Sequence, residues 1–328
     1  MTRISRGAYK DQDAVVLENE EIRAIYLPQW GAKLASLAHK GLGAETLWQA
    51  PGAAYLGTRY GDGYERGELS GFDEMFPTIS RCLYEAPPWS GVEAPDHGEV
   101  WTIPWDHSLS ADSVAMSVNG VRFPYRLEKE VSLDGGRLVS RYRAANLSGF
   151  PLDFIWAAHP LFNACEGMQF IVPAGMDRVV NAVPGPVLKR YGEKLAFPVA
   201  RPEGGREIRL DRVPKKNPAG WQKYWFDGRV VDGWCMLHDP SSTLTVGMAW
   251  PKEKVPYLGI WLNEGGYAGQ YNIAPEPATA AMDRIDASKL WGMGSTLAPG
   301  ETREWHLVIS LTAGRKPAGL KPDGQFIA

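Results

Sequence analysis

Cysteine is scarce in this chain: Cys82, Cys165 and Cys235 are its only three, they are scattered, and no two form a C-x-x-C pair. An odd, dispersed set offers no disulfide framework and suits a reducing compartment. Long apolar runs are also missing, with nothing near the ~18 residues that mark a spanning helix. The opening MTRISRGAYKDQDAVV lacks the apolar centre of an export signal, so a soluble cytoplasmic protein with no membrane partner is expected. Positive charge is not in excess, since 35 Lys and Arg stand against 38 Asp and Glu and the pI is near 6.1. That balance argues against nucleic acid as a partner, because gripping a phosphate backbone requires a basic surface. Several motifs are absent as well: there is no G-x-x-x-x-G-K-[ST], no G-x-S-x-G and no H-E-x-x-H. The nearest approach to G-x-G-x-x-G, GMGSTL at 292–297, ends on Leu297. The six histidines show no ligand-like spacing with cysteine or carboxylate, so no metal site is read and one would require long-range assembly. Sustained helical periodicity is nearly absent too, and ATAAMDRIDASKL (278–290) is the best candidate for a helix.

What the chain does have is punctuation and alternation. Its 36 glycines and 25 prolines are spread throughout rather than gathered into a linker, as many short strands require. Alternating segments recur at SVAMSVNG (113–120), RLVSRYRAANLS (137–148), SSTLTVGMAW (241–250) and EWHLVISLTA (304–313). In the second, Val139, Arg141 and Arg143 share one face, and Leu138, Ser140, Tyr142 and Ala144 share the other, the period of a half-exposed antiparallel strand. The pattern predicts an all-β fold in one domain over 1–328, with long functional loops, notably 56–105, and a loosely ordered tail from about 316. Thirteen Trp and thirteen Tyr supply rings that could stack on the apolar face of a sugar, although most would be core.

Three polar groups sit in unusual settings. His159 lies in the apolar run WAAHPLFNA (156–164), directly before a proline that biases it toward extended geometry. His97 lies in the Pro- and Gly-bounded turn PDHGEVW (95–101). Glu276 is held between Pro275 and Pro277 in IAPEPATAA (273–281), a carboxylate with little conformational freedom, as a positioned base requires. Taken singly, each has a plainer reading: a core histidine with both nitrogens bonded, a turn-capping imidazole and a loop acid.

Taken together with GFDEMFPTI (71–79) and GAKLASLAHKG (31–41), in this order and spacing, these segments resemble the aldose 1-epimerase, or galactose mutarotase-like, family over roughly residues 15–312. The resemblance implies a large antiparallel β-sandwich with a sugar bound across an open cleft. It implies interconversion of the α and β anomers of a free aldose, without cofactor or metal. Glu276 would be the base that takes the anomeric proton and His159 the acid that protonates the ring oxygen. His97 would bind the ring-oxygen side.

The chain also departs from the best-known members. The family's arginine has only a loose counterpart in Arg81, with Asp73 or Glu74 as contacts to hydroxyls. The aspartate that binds sugar hydroxyls has no clear equivalent, and in its region WQKYWFDG (221–228) offers Lys223. A lysine and arginines near the site raise an anionic sugar, phosphorylated or sulfonated, as an alternative substrate, and Arg59, Arg66 and Arg81 could form a phosphate-binding cluster. A sugar-binding or sensing protein that has lost catalysis is the other alternative. A monomer or a homodimer is expected.

Overall fold

The computed structural model describes residues 1–328 and is built almost wholly of antiparallel strands. The alternating segments become strands as expected: Ser113–Asn119, Arg137–Asn146, Leu244–Ala249 and Thr302–Ala313. All four belong to an eight-stranded sheet in which Thr302–Ala313 lies between Leu244–Ala249 and Arg137–Asn146. The inward face of Arg137–Asn146 carries Leu138, Ser140, Tyr142 and Ala144, all buried.

A second, thirteen-stranded sheet covers that face. At its middle run, side by side, Phe72–Met75, Ala157–Pro160, Asn272–Ala278, Tyr257–Asn263 and Trp221–Phe226. One cluster of 73 buried apolar residues joins the two sheets, from Leu17 and Leu34 on one side to Leu138 and Ile309 on the other. Polar groups cross between the layers as well: Lys129 and Tyr142 of the smaller sheet both bond Glu74 of the larger, at 3.0 and 2.8 Å.

The central strands Ala157–Pro160 and Asn272–Ala278 are buried at every position. The smaller sheet covers one face and the long segment 56–105 lies over the other, which explains why neither strand shows a polar face in sequence. Two prolines within a central strand require a reason, because each removes a ladder donor. The register with Tyr257–Asn263 runs unbroken through Pro275 and Pro277. On the other flank pairing occurs only at Ala157↔Ala278, Phe162↔Ile273 and Asn163↔Asn272. The prolines therefore lie where the ladder is already open, beside His159.

Two expectations are corrected. The proposed helix over 278–290 is confined to Ile285–Leu290, because the strand bearing Glu276 continues to Ala278 and a turn follows. The tail from 316 is ordered into a hairpin of Gly319–Leu320 with Phe326–Ile327, held by the burial of Leu320 against Met236, Ala249 and Val308.

Candidate functional site

Strand alternation decides which side chains reach the outer face of the larger sheet. Lys223, Trp261 and Ala274 align across three strands, as do Trp225, Gly259 and Glu276. His159 pairs with Asp73 on its own side. A cavity of about 250 Å³ opens over this face, lined by His159, Glu276, Lys223 and Asp283 on its floor. Trp221, Trp261 and Tyr267 form its aromatic side, and Tyr64, Asp96 and His97 come from the covering segment. The volume lies below the ~300–1,000 Å³ of sites for drug-sized ligands and suits a smaller molecule. A larger open hollow of about 800 Å³, on the exposed face of the eight-stranded sheet, is lined by surface charges such as Arg126, Glu128 and Arg143 and contains none of the candidate residues.

The floor is a continuous ionic chain. Nδ1 of His159 lies 3.1 Å from Oε1 of Glu276. Lys223 donates to the other oxygen, Oε2, and its Nζ lies 3.5 Å from Oδ1 of Asp283. Burial pushes the Glu276 carboxyl upward, but Lys223 and His159 outweigh it and hold the group down at about 2. An ionised carboxylate only accepts, so Nδ1 of His159 carries the hydrogen and Nε2 is left without a protein partner. Burial lowers the His159 pKa, and Glu276 only partly offsets this. Burial also lowers the Lys223 pKa, but the facing Asp283 and Glu276 overcome it and leave the ammonium more firmly protonated than usual. Asp283 moves the other way, raised by burial and by Glu276 against the pull of Lys223.

Trp225 and Gly259 set this geometry. The Trp225 indole N–H donates to Asp283 Oδ1 at 2.9 Å, and Lys223 Nζ lies 5.3 Å from the centre of the Trp225 ring. A Cβ added at Gly259 would lie 3.0 Å from that buried ring, so glycine lets the indole rest against the strand bearing Glu276.

The covering segment brings His97 into place. His97 has φ 56° and Gly98 φ 77°, and a Cβ on Gly98 would meet the Phe76 carbonyl oxygen at 2.1 Å. Left-handed backbone at a non-glycine residue is strained and persists where surrounding bonds fix it. Here the fixing contacts are Tyr64, whose ring stacks on His97 at 4.0 Å, and Trp101, whose indole N–H donates to the Asp96 carbonyl at 3.0 Å. His97 Nδ1 lies 3.2 Å from Asp96 Oδ1, within ion-pairing reach but out of line for a hydrogen bond. Burial raises the Asp96 carboxyl, while His97 and the Tyr64 backbone N–H bring it down to about 2. The rings of His97 and His159 are 5.2 Å apart.

Of the residues singled out from sequence, His97, His159, Lys223 and Glu276 therefore meet in one cavity. Asp73, Glu74 and Arg81 do not line it. Asp73 is fully buried beneath Tyr64, bonded by Lys33 at 2.7 Å and by the Tyr64 hydroxyl at 3.0 Å, with its Oδ1 unpartnered. Glu74 points the opposite way, between the sheets, toward Lys129, Tyr142 and Trp156. Arg81 is half exposed, 3.5 Å from Glu93. No arginine lines the cavity, so Arg59, Arg66 and Arg81 do not converge there as an anion-binding cluster. Sequence reasoning missed Tyr64, Asp96, Asp283, Trp221, Trp261 and Tyr267; of these, Asp96, adjacent to His97, and Trp221, two residues before Lys223, lay within segments already singled out for chemistry. No three His, Cys, Asp or Glu side chains converge as metal ligands.

Chemically, the floor places a group able to hold or release a proton against a carboxylate, beside a half-buried aromatic surface. Such an arrangement can move a proton to or from a small polyhydroxylic ligand.

No family model matches the sequence, and no curated protein does either. Solved structures do match the fold. A galactose mutarotase-like protein from Lactobacillus casei superposes with TM-score 0.66 at 21% identity, over 91% of this chain and 100% of that one. A galactose mutarotase related enzyme from Lactobacillus acidophilus gives 0.66 at 14% identity, over 92% and 97%. A galactose mutarotase-like protein from Clostridium acetobutylicum gives 0.61 at 15% identity, over 95% and 99%. The architecture is the galactose mutarotase-like β-sandwich, in agreement with the expectation from the motifs.

Proposed function

We propose that the protein is an aldose 1-epimerase, interconverting the α and β anomers of a free monosaccharide in the cavity between His97 and Trp261. The observation that carries this reading is the direct pairing of His159 with Glu276 at 3.1 Å on the floor of an aromatic-sided cavity of about 250 Å³. Glu276 takes the proton of the anomeric hydroxyl while His159 gives one to the ring oxygen through Nε2. The C1–O bond of the ring breaks, the anomeric oxygen becomes a carbonyl, and rotation about C1–C2 exposes the other face. Reclosure returns both protons by the same two groups in reversed roles. Opposed acid and base of this kind typically supply about 10²–10⁴-fold. The ring of the sugar rests its apolar face on the aromatic side of the cavity, and His97 bonds the ring-oxygen side.

The cavity favours a neutral sugar. Its one lysine already faces two carboxylates, Glu276 and Asp283, and Asp96 adds a third. A phosphate or sulfonate would find no unpaired cation there. The test is anomer exchange followed by NMR for neutral aldoses, phosphorylated aldoses and sulfonated aldoses. Acceleration of a neutral sugar supports the reading, and acceleration confined to anionic sugars overturns the preference.

One observation favours a second reading, sugar binding without catalysis: Glu276 is fully buried and both its oxygens are engaged by protein groups. A sugar that binds tightly with its anomers exchanging no faster than in buffer would establish it.

A further inference from the structure

The covered state of Glu276 has a structural answer in a residue that sequence reasoning did not single out. Glu276 is 0% exposed, so a sugar hydroxyl reaches Oε2 only where Lys223, which covers that oxygen, gives way, Oε1 being held by His159. An ammonium that is 5% exposed cannot be released without another counter-ion, because a stranded buried charge is very costly. Asp283 Oδ1 stands 3.5 Å from Lys223 Nζ, the only other carboxylate within ion-pairing distance of it. Oδ2 of Asp283 bonds no protein group, and the residue lines the cavity.

The chain holds Asp283 there at a cost. Met282 and Asp283 are consecutive non-glycine residues in the left-handed region, at φ 72° and 63°. The Asp283 carbonyl is fastened by the N–H groups of Ile79 and Ser80, at 3.1 and 2.8 Å, and by the Thr78 hydroxyl at 3.3 Å. Its carboxylate is fastened by Trp225. Strain held by this many bonds in a cavity wall is characteristic of a functional position. The groups facing Glu276 are Lys223 and His159 from the flanking strands, Asp283 from this turn, and His97 and Asp96 from the covering segment.

We propose that Asp283 is a positioning residue that acts through Lys223: it receives the ammonium as the sugar enters, uncovering Glu276 Oε2 and setting how strong a base that carboxylate is. This rests on the epimerase reading for its catalytic consequence, but not for the electrostatic coupling itself.

The test is a cycle of Asp283→Asn, Lys223→Met and the double variant. Asparagine keeps an oxygen for the Trp225 N–H and removes only the charge. Expected in Asp283→Asn is a kcat lowered about tenfold or more with KM little changed, since a unit of lost basicity costs up to about tenfold. In the Lys223→Met background the same substitution should cost no further rate, because no ammonium remains to be received. A carbon-13 carboxyl titration, independent of turnover, should show Glu276 well above its wild-type pKa in Lys223→Met, with Asp283→Asn lowering it when Lys223 is present and moving it far less in the Lys223→Met background. Equal losses from Asp283→Asn with and without Lys223, or a Glu276 titration blind to Asp283, would overturn the proposal. A wild type that accelerates no sugar refutes the epimerase reading alone, and the titration still decides the coupling.

Discussion

Replacing Asp73 separates a structural counter-ion from a sugar ligand. The carboxylate is 0% exposed and bonds Lys33, itself 3% exposed, at 2.7 Å. Lys33 otherwise donates only to the Ser70 carbonyl, at 2.6 Å. Asp73→Asn leaves that ammonium buried with only neutral partners, and breaking a buried pair from one side costs about 3–5 kcal/mol. The loss comes from the stranded charge rather than from the contact. Removing the charge as well, in Asp73→Asn with Lys33→Met, should therefore restore most of the stability, since replacing both members of a buried pair is often near neutral. Asparagine still accepts from the Tyr64 hydroxyl, so the Tyr64–His97 stack should persist. The assay is urea unfolding of wild type, both single variants and the double, with sugar affinity measured by calorimetry on the folded protein. Expected is a large, non-additive change in stability with sugar affinity nearly constant. An Asp73→Asn protein as stable as wild type but unable to bind sugar would refute the reasoning and make Asp73 a ligand.

Further outcomes follow from the same contacts. For His159 to act as an acid it must carry a proton on Nε2, and burial holds its pKa below the ordinary 6.5, so only a minority is protonated at neutrality. The catalysed rate should therefore rise as pH falls from about 8 to 5, until Glu276, held near 2, begins to protonate; a rate that falls over this range would make neutral His159 the base instead. Gly259→Ala places a methyl 3.0 Å from the buried Trp225 ring, and overpacking of this kind costs ~1–3 kcal/mol. Because that ring holds Asp283 and underlies Lys223, anomer exchange should slow together with the loss in thermal stability. Unchanged melting and unchanged rate would show that the glycine is not required. Trp261→Ala should weaken sugar binding while leaving the His159–Glu276 pair intact, raising KM more than it lowers kcat, as a pH profile of unaltered shape would confirm.

The sequence made the strands legible where one face is wet. Arg137–Asn146 alternates because its outer residues meet solvent. Ala157–Pro160 and Asn272–Ala278 show no alternation because both faces are covered, and there the imidazole and the proline-flanked carboxylate were themselves the signal. Asp73 and Glu74 show what spacing along the chain conceals. Adjacent residues of one strand face opposite sides, and the partners that absorb their charge, Lys33 and Lys129, lie 40 and 55 residues away. Asp283 escaped notice because ATAAMDRIDASKL has the composition of a helix, whereas strand pairing claims its first residue and a left-handed turn claims Met282 and Asp283. Arg81, the loose counterpart of the family's arginine, is likewise misplaced by position along the chain, since its side chain is half exposed beside Glu93.

The central claim, that Glu276 and His159 exchange protons with a sugar, is tested most directly by NMR saturation exchange between anomers with wild type, Glu276→Gln and His159→Ala in parallel. Binding of the same sugar would be measured by calorimetry. The expected result is acceleration by wild type and a loss of about 10²-fold or more in each variant, with binding retained. Variants as fast as wild type, or a wild type that binds the sugar and leaves its anomers exchanging at the buffer rate, would contradict it.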